Sequence, residues 1–278
     1  MLLALQILEV LLPLFYAVVF VVYLRQFLSP SSDEGAFFRG PTLLYAGLTT
    51  HLGYLILHGI EFHHFPVTSR ADFLSLVAFC VGLVYAFAER KHKNANTGVF
   101  FIALVVATQA WSSILMEHSY THPILYENPI YAIHVIFTVF GFTALALSAL
   151  YALMYILLSR QLKSRNLGLI FRRLPPLNVL ENMSRLATLC GIAFLGAGLA
   201  TGHFLAVYVL DDYFNLFDPK IVITYIAWLA YVLGYLIVKL RGLSGLRIGY
   251  ISLGGYLLLI ASMVVVNSFL TTFHSFAF

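Results

Sequence analysis

Long apolar stretches dominate this sequence and constrain its fold more than any other feature. A helix needs roughly 20 apolar residues to cross the hydrocarbon of a bilayer, and eight stretches come close to that length or exceed it. The sequence therefore predicts an all-α, polytopic membrane protein with eight transmembrane helices, in a single transmembrane domain covering residues 1–278. The predicted spans are approximately 2–24, 41–61, 72–89, 98–116, 129–158, 184–209, 221–240 and 248–270.

The composition supports a membrane protein. Hydrophobic residues make up 61% of the chain and charged residues only 10%, with a mean hydropathy of +0.90. A soluble domain cannot keep so apolar a surface in water, so we expect an integral protein whose main environment is the lipid bilayer. The isoelectric point near 9.0 does not indicate nucleic-acid binding, because in a membrane protein the position of the basic residues carries the information.

The basic residues predict the orientation of the chain. Of the 16 Lys and Arg residues, all except Arg70 and Lys220 fall in the loops that follow predicted spans 1, 3, 5 and 7. Cytoplasmic loops are enriched in Lys and Arg, so these loops are predicted to be cytoplasmic. An even number of spans then places both termini on the external side of the cell (inner or cytoplasmic) membrane.

The cysteines and short motifs exclude several functions. Cys80 and Cys190 lie within predicted spans and form no C-x-x-C pair, so the chain has no attachment motif for covalent haem and no redox dithiol. No nucleotide-binding loop or metalloprotease motif is present. The cytoplasmic segment "LGLIFRRL" fits a short surface helix or an ordinary connector.

Histidines are concentrated in the external half of the predicted protein. Ionisable residues inside a membrane are costly and mark candidate functional sites. The orientation places His51 near mid-membrane, His58 and His203 in the outer part, and His134 and His274 near the external surface. Neutral imidazole is a good iron ligand, and an apolar space between helices suits a porphyrin.

Geometry limits which histidines can share one iron. His51 and His58 are seven residues apart on one helix face, about 10 Å along the axis, so they cannot bind the same iron from opposite sides. His134 and His274 come from different segments and could do so. The alternative is that each intramembrane histidine makes only a hydrogen bond between helices.

Five segments along the chain match, in order, the pattern of one known family. They are "HFPVTSRADFLSLVAF", "IHVIFTVFGFTALALSALYALMYI", "LPPLNVLENMSRLATLCGIAFLGAGLATG", "FDPKIVITYIAWLAY" and "NSFLTTFHSF". In these segments, of which the last four run from about residue 129 to the end, the chain resembles the cytochrome c assembly family of haem-handling membrane proteins (the CcsA/CcmC type). The ordered set covers most of the chain.

The resemblance implies a haem site on the external face. In that family, a histidine at the start of the "HV…G" helix and another in the C-terminal stub are the axial ligands of one haem. By position these are His134 and His274, which would bind the iron of a non-covalent haem b. A deeper haem would need His51, His58 or His203 as a ligand.

Departures from the family pattern indicate a HemX-like branch. The synthetase branch carries a tryptophan-rich external loop, and the corresponding stretch here, "DDYFNLFDPK", has no Trp. Phe214 and Phe217 are its nearest flat side chains and could stack on a macrocycle. A second haem-ligating histidine of synthetases corresponds to Leu236. HemX-like members have a similar length and eight spans, so an enzymatic role is less favoured than a haem-handling one.

Few external groups are available to bind the haem propionates. Arg70 and Lys220 are the only permanent cations predicted on that side, and each is a candidate partner. Glu9, inside the first span, is either a hydrogen-bonded acid between helices or a group that takes part in proton or haem movement.

Three functions remain open from the sequence. The first is a membrane protein that holds or transfers haem at the external face, in cytochrome c maturation or haem metabolism, with a cytochrome or a cytochrome-assembly protein as partner. The second is a di-haem electron-transfer subunit that exchanges electrons with quinol. The third is a haem-free regulator of tetrapyrrole synthesis.

Overall fold

The computed structural model describes residues 2–28, 34–63, 65–67, 69–92, 96–116, 128–165, 168–209 and 219–269. These residues form helices and the turns that connect them, and no strand occurs among them. The all-α fold class is therefore confirmed for the described part of the chain.

Nine helices occur in the described residues, and seven are long and apolar enough to cross a membrane. The protein is thus a multi-pass membrane protein. The helices are α1 (Leu2–Leu28), α2 (Glu34–Phe62), α3 (Arg70–His92), α4 (Gly98–Ile114), α5 (Pro129–Lys163), α6 (Leu169–Arg173), α7 (Leu177–Val209), α8 (Pro219–Leu240) and α9 (Leu246–Phe269).

The prediction of eight spans is confirmed for seven of them. The fourth predicted span is α4, an apolar helix of only 17 residues. At 1.5 Å per residue it is about 26 Å long, somewhat less than the hydrocarbon thickness. The external position of both termini stays a prediction. The segment "LGLIFRRL" contains the short helix α6, as one of its two interpretations anticipated.

Local sequence signals fix two helix starts that matter for the site. Asn128 caps α5, accepting a hydrogen bond from the Ile130 N–H at 2.9 Å, and Pro129 occupies the first helical position. Ser69 and Asp72 form a reciprocal capping box at the start of α3, with both hydrogen bonds at 3.0 Å.

The chain divides into two compact units. Unit 1 comprises Met1–Glu127 with Arg172–Leu174, and unit 2 comprises Asn128–Phe171 with Pro175–Phe278. In unit 1, α1 packs against α2 and α4, and α3 packs against α2 and α4. The prediction of a single transmembrane domain stays a prediction.

Unit 2 is built on a close pairing of α5 with α7, to which α8 and α9 are added. Glycines allow the two backbones to approach. A Cβ added at Gly141 would lie 2.7 Å from the Leu195 backbone nitrogen, and one at Gly191 would lie 2.5 Å from Leu145. Small residues at such crossings are the usual means of close helix packing in membranes. Midway along the pair, Ser148 donates or accepts hydrogen bonds with hydroxyls on α7.

A charged pair fixes the turn between α8 and α9 to the start of α7. Glu181 binds Arg185 at 2.8 Å and accepts the Gly245 backbone N–H at 3.0 Å, while Arg185 donates to the Leu243 carbonyl at 2.6 Å. Gly242 and Gly245 have φ of +58° and +71°, a conformation that glycine adopts without strain. These bonds hold one end of unit 2 together.

Candidate functional site

His134 lies in the second turn of α5 and is half-buried against α7. Its Nδ1 is 2.8 Å from the backbone carbonyl oxygen of Gly198. A carbonyl oxygen can only accept a hydrogen bond, so Nδ1 carries the proton and donates it. In the neutral ring the lone pair then belongs to Nε2. The contact with α7 therefore selects the tautomer of His134.

Two glycines on α7 form the surface on which this imidazole lies. A Cβ added at Gly202 would be 2.6 Å from both Nδ1 and Cε1 of His134, closer than real Cβ contacts allow. A Cβ at Gly198 would be 2.8 Å from Thr138 Oγ1, and that hydroxyl donates to the His134 carbonyl at 2.7 Å. Gly198 and Gly202 are four residues apart, hence on one helix face. The ring orientation depends on the absence of side chains there.

This arrangement is suited to a metal ligand. Metal-bound histidines usually donate their second ring N–H to a carbonyl or carboxylate, which fixes the ring and raises the basicity of the ligating nitrogen. No group of three or more His, Cys, Asp or Glu side chains that could hold a metal ion occurs in the described part of the chain. A porphyrin supplies four nitrogen ligands itself and needs only axial groups from the protein. A single imidazole of this kind is a donor that haem iron accepts.

Several predicted site residues lie outside the described residues. These are His274, the proposed second axial ligand, together with Phe214 and Phe217. Lys220 is the second residue of α8, and its side chain is likewise not among the described ones. Their assignment stays a prediction. Arg70 is the first residue of α3 in unit 1, where it is half-buried.

His203 follows Gly202 on α7 but is exposed. Successive residues of a helix point about 100° apart, so His203 is rotated away from the face on which His134 lies. Nearby on the same helix, the rings of Phe204 and Tyr208 are 4.6 Å apart, and both are exposed. All three of these side chains are exposed, whereas His134 is half-buried.

The two histidines of α2 are buried in unit 1 and bonded there. His51 uses both ring nitrogens, Nδ1 with the Tyr16 hydroxyl at 3.1 Å and Nε2 with Ser75 Oγ at 2.9 Å. His58 Nε2 faces Asp72 Oδ1 at 3.5 Å, and its ring contacts that of Phe62. With both nitrogens engaged, His51 has no lone pair to offer iron in this arrangement.

Sequence reasoning missed the residues that position His134. Gly198 and Gly202 occur in the segment "GLATGH", whose small residues at four-residue spacing are a signal for close helix contact. It also missed Glu89, the last residue of the predicted span 72–89, which is only 6% exposed in unit 1. Its Oε2 accepts a hydrogen bond from the Tyr23 hydroxyl at 2.6 Å.

Comparison with known proteins gives two matches. The family model described as "Cytochrome C assembly protein" matches residues 67–274, a span that includes His134 and ends at His274. A protein of Chlorella vulgaris named cytochrome c biogenesis protein CcsA is 25% identical over 258 residues, which cover 81% of each chain. No solved structure matches the chain.

Proposed function

Because the chain belongs to the cytochrome c assembly protein family, we propose that it binds haem b without a covalent link and holds or transfers it at the external face of the membrane. The process served is cytochrome c maturation or haem metabolism. The resemblance to the HemX-like branch favours a haem-handling protein over a synthetase. The alternatives are a di-haem subunit serving quinol and a haem-free regulator.

One observation carries the proposal: the hydrogen bond from His134 Nδ1 to the Gly198 carbonyl. It leaves Nε2 as the basic nitrogen, the atom that an axial ligand needs. An imidazole that only joined α5 to α7 would make the same bond, and the His134 variant described in the Discussion separates the two roles.

The second axial ligand in this proposal is His274. Haem would supply the iron, and the imidazoles of His134 and His274 would hold it. Lys220 and Arg70 are the proposed partners of the propionates, since a carboxylate at the membrane surface is stabilised by a cationic hydrogen-bond donor. Phe214 and Phe217 are proposed to contact the flat faces of the macrocycle.

The hydrogen bonds of His51 in unit 1 argue against the di-haem alternative. Both nitrogens of His51 are bonded to Tyr16 and Ser75, so His51 is disfavoured as the ligand of a deeper haem. The proposal predicts one haem per chain, and the haem count tests the other two candidates, His58 and His203.

The absorption spectrum of the purified protein tests this function. The protein, expressed in haem-replete cells and purified in detergent, is expected to show a b-type spectrum and about one haem per chain by the pyridine haemochrome assay. A colourless preparation would refute haem binding and favour the regulator, whereas two haems per chain would favour the electron-transfer subunit.

A further inference from the structure

Buried polar side chains run along the whole length of unit 1. On α1, Glu9, Tyr16 and Tyr23 recur at intervals of seven residues on the buried face, with exposed fractions of 8%, 0% and 1%. Seven residues correspond to about 10 Å along a helix, so the three groups mark three depths. Ionisable side chains within a membrane are costly and often belong to proton or ion pathways.

The middle depth contains one polar residue from each of the four helices. Ser75 Oγ donates to Gln109 Oε1 at 3.2 Å, because an amide oxygen can only accept. His51 Nε2–H therefore donates to Ser75 Oγ, and His51 Nδ1 accepts from the Tyr16 hydroxyl. All four side chains are at most 1% exposed. They form a continuous hydrogen-bonded chain with defined donors.

One end of unit 1 contains an imidazole beside a carboxylate. His58 Nε2 and Asp72 Oδ1 are 3.5 Å apart, and both residues are almost completely buried. The ring of Tyr54 lies between the two histidines of α2, with centroids 5.9 Å from His58 and 6.2 Å from His51. Glu9 has its backbone carbonyl bound by the Ser113 hydroxyl at 2.6 Å. By the distribution of basic residues, this end is expected to be external.

The opposite end contains a second buried carboxylate. Glu89 Oε2 accepts from the Tyr23 hydroxyl, while its Oε1 has no hydrogen-bond partner among the residues that the structure describes. The rings of Tyr23 and Tyr85 are 5.9 Å apart. Gly98 packs directly on the Tyr23 ring, so no side chain could be added there without displacing it. Basic residues 90, 91 and 93 follow Glu89 in the sequence, so this end is expected to be cytoplasmic.

We propose that unit 1 conducts protons across the membrane, through the His58–Asp72 pair, the Tyr16–His51–Ser75–Gln109 chain and the Tyr23–Glu89 pair. A structural lock between four helices would need only the middle chain. The buried acids at both ends add groups that can exchange protons with water. The path includes neither His134 nor His274, the two proposed haem ligands, so its test does not depend on haem binding at those residues.

The proton balance is simple. A proton from water on the Glu89 side binds Glu89, and a proton passes through Tyr23 and water to Tyr16. Tyr16 gives its hydroxyl proton to His51 Nδ1 and takes one in return, and His51 releases its Nε2 proton to Ser75 Oγ. The Ser75 hydroxyl gives a proton to water that leads to the His58–Asp72 pair, and this pair releases a proton to water at the far end. Intervals of about 10 Å between depths exceed a hydrogen bond, so water molecules complete the transfer. No electrons move, and one proton leaves for each that enters.

Proton uptake by liposomes tests the proposal. The purified full-length protein is reconstituted with the pH-sensitive dye pyranine inside, and a potassium gradient with valinomycin supplies the driving potential. The wild-type protein is expected to take up protons clearly faster than protein-free liposomes. Tyr16→Phe and Glu89→Gln, which keep side-chain size, are each expected to lower the protein-dependent rate by roughly tenfold.

A matched buried variant separates conduction from structure. Ser112 is 0% exposed, and its hydroxyl donates to the Ala71 carbonyl at 2.8 Å. Ser112→Ala removes this buried hydrogen bond from the same unit at a residue that is not a member of the proposed path. It is expected to keep the wild-type rate. Wild-type uptake equal to that of empty liposomes would overturn the proposal. So would unchanged uptake in both path variants, or an equal loss in Ser112→Ala.

Discussion

Purified His134→Ala protein is expected to contain almost no haem. Removal of the imidazole takes away the only ligand nitrogen that α5 offers and leaves the iron with a single axial group. Loss of a supporting residue around a metal ligand typically costs 10- to 100-fold in affinity, and loss of the ligand itself should cost more. We expect the b-type absorption band, measured per mole of protein, to fall to roughly a tenth or less of the wild-type value.

His203→Ala is the matched control for this prediction. His203 lies on the neighbouring helix at a similar depth, and it is exposed rather than packed against α5. Its removal is expected to leave the absorption band at the wild-type intensity. A His134→Ala protein that keeps its band, or equal losses in the two variants, would contradict the assignment of His134 as the ligand.

Gly202→Ala is expected to produce the second-largest effect on haem binding. The added methyl group would lie 2.6 Å from the His134 ring and would force the imidazole away from α7. The hydrogen bond to the Gly198 carbonyl would then be lost or lengthened, and with it the orientation of Nε2. Groups that hydrogen-bond to a metal-ligating histidine contribute 10- to 100-fold to metal affinity. We therefore expect haem affinity to fall by roughly that factor.

Gly254→Ala provides the control for the glycine variant. It makes the same chemical change in a helix of the same unit, where an added Cβ has no other heavy atom within 4 Å. We expect haem titration of this variant to match the wild type. Equal affinities for the two glycine variants would show that the close contact at His134 has no part in binding haem.

The sequence predicted the helices well, because apolar length alone determines where a chain can span a bilayer. Most of the predicted bounds lie within a few residues of the observed ones, but α2, α5 and α7 extend beyond the predicted spans by whole turns at polar ends. Those turns contain charged residues such as Arg160 and Glu181, and a prediction based on hydropathy leaves such residues out of a span. Helix hydrogen bonding continues past the apolar limit in these three helices. In contrast, α4 ends at Ile114, two residues before the end of the predicted span 98–116.

The candidate site was less predictable. The sequence and its family resemblance singled out His134, but nothing in the sequence fixes the tautomer of a histidine. That depends on which backbone carbonyl of α7 lies against α5, a contact between residues 64 positions apart. The same limit applies to His51, whose two hydrogen-bond partners come from helices α1 and α3. Contacts between helices that are distant in the sequence determine the hydrogen bonds of both histidines.

The most direct test of the central claim is the electron paramagnetic resonance spectrum of the ferric protein, with and without His274. If His134 and His274 bind one iron, the wild-type protein shows a low-spin signal, since two imidazoles give a strong ligand field. The His274→Ala variant then shows high-spin iron or loses the haem. A wild-type protein with high-spin iron, or a low-spin signal that survives in His274→Ala, would contradict the account.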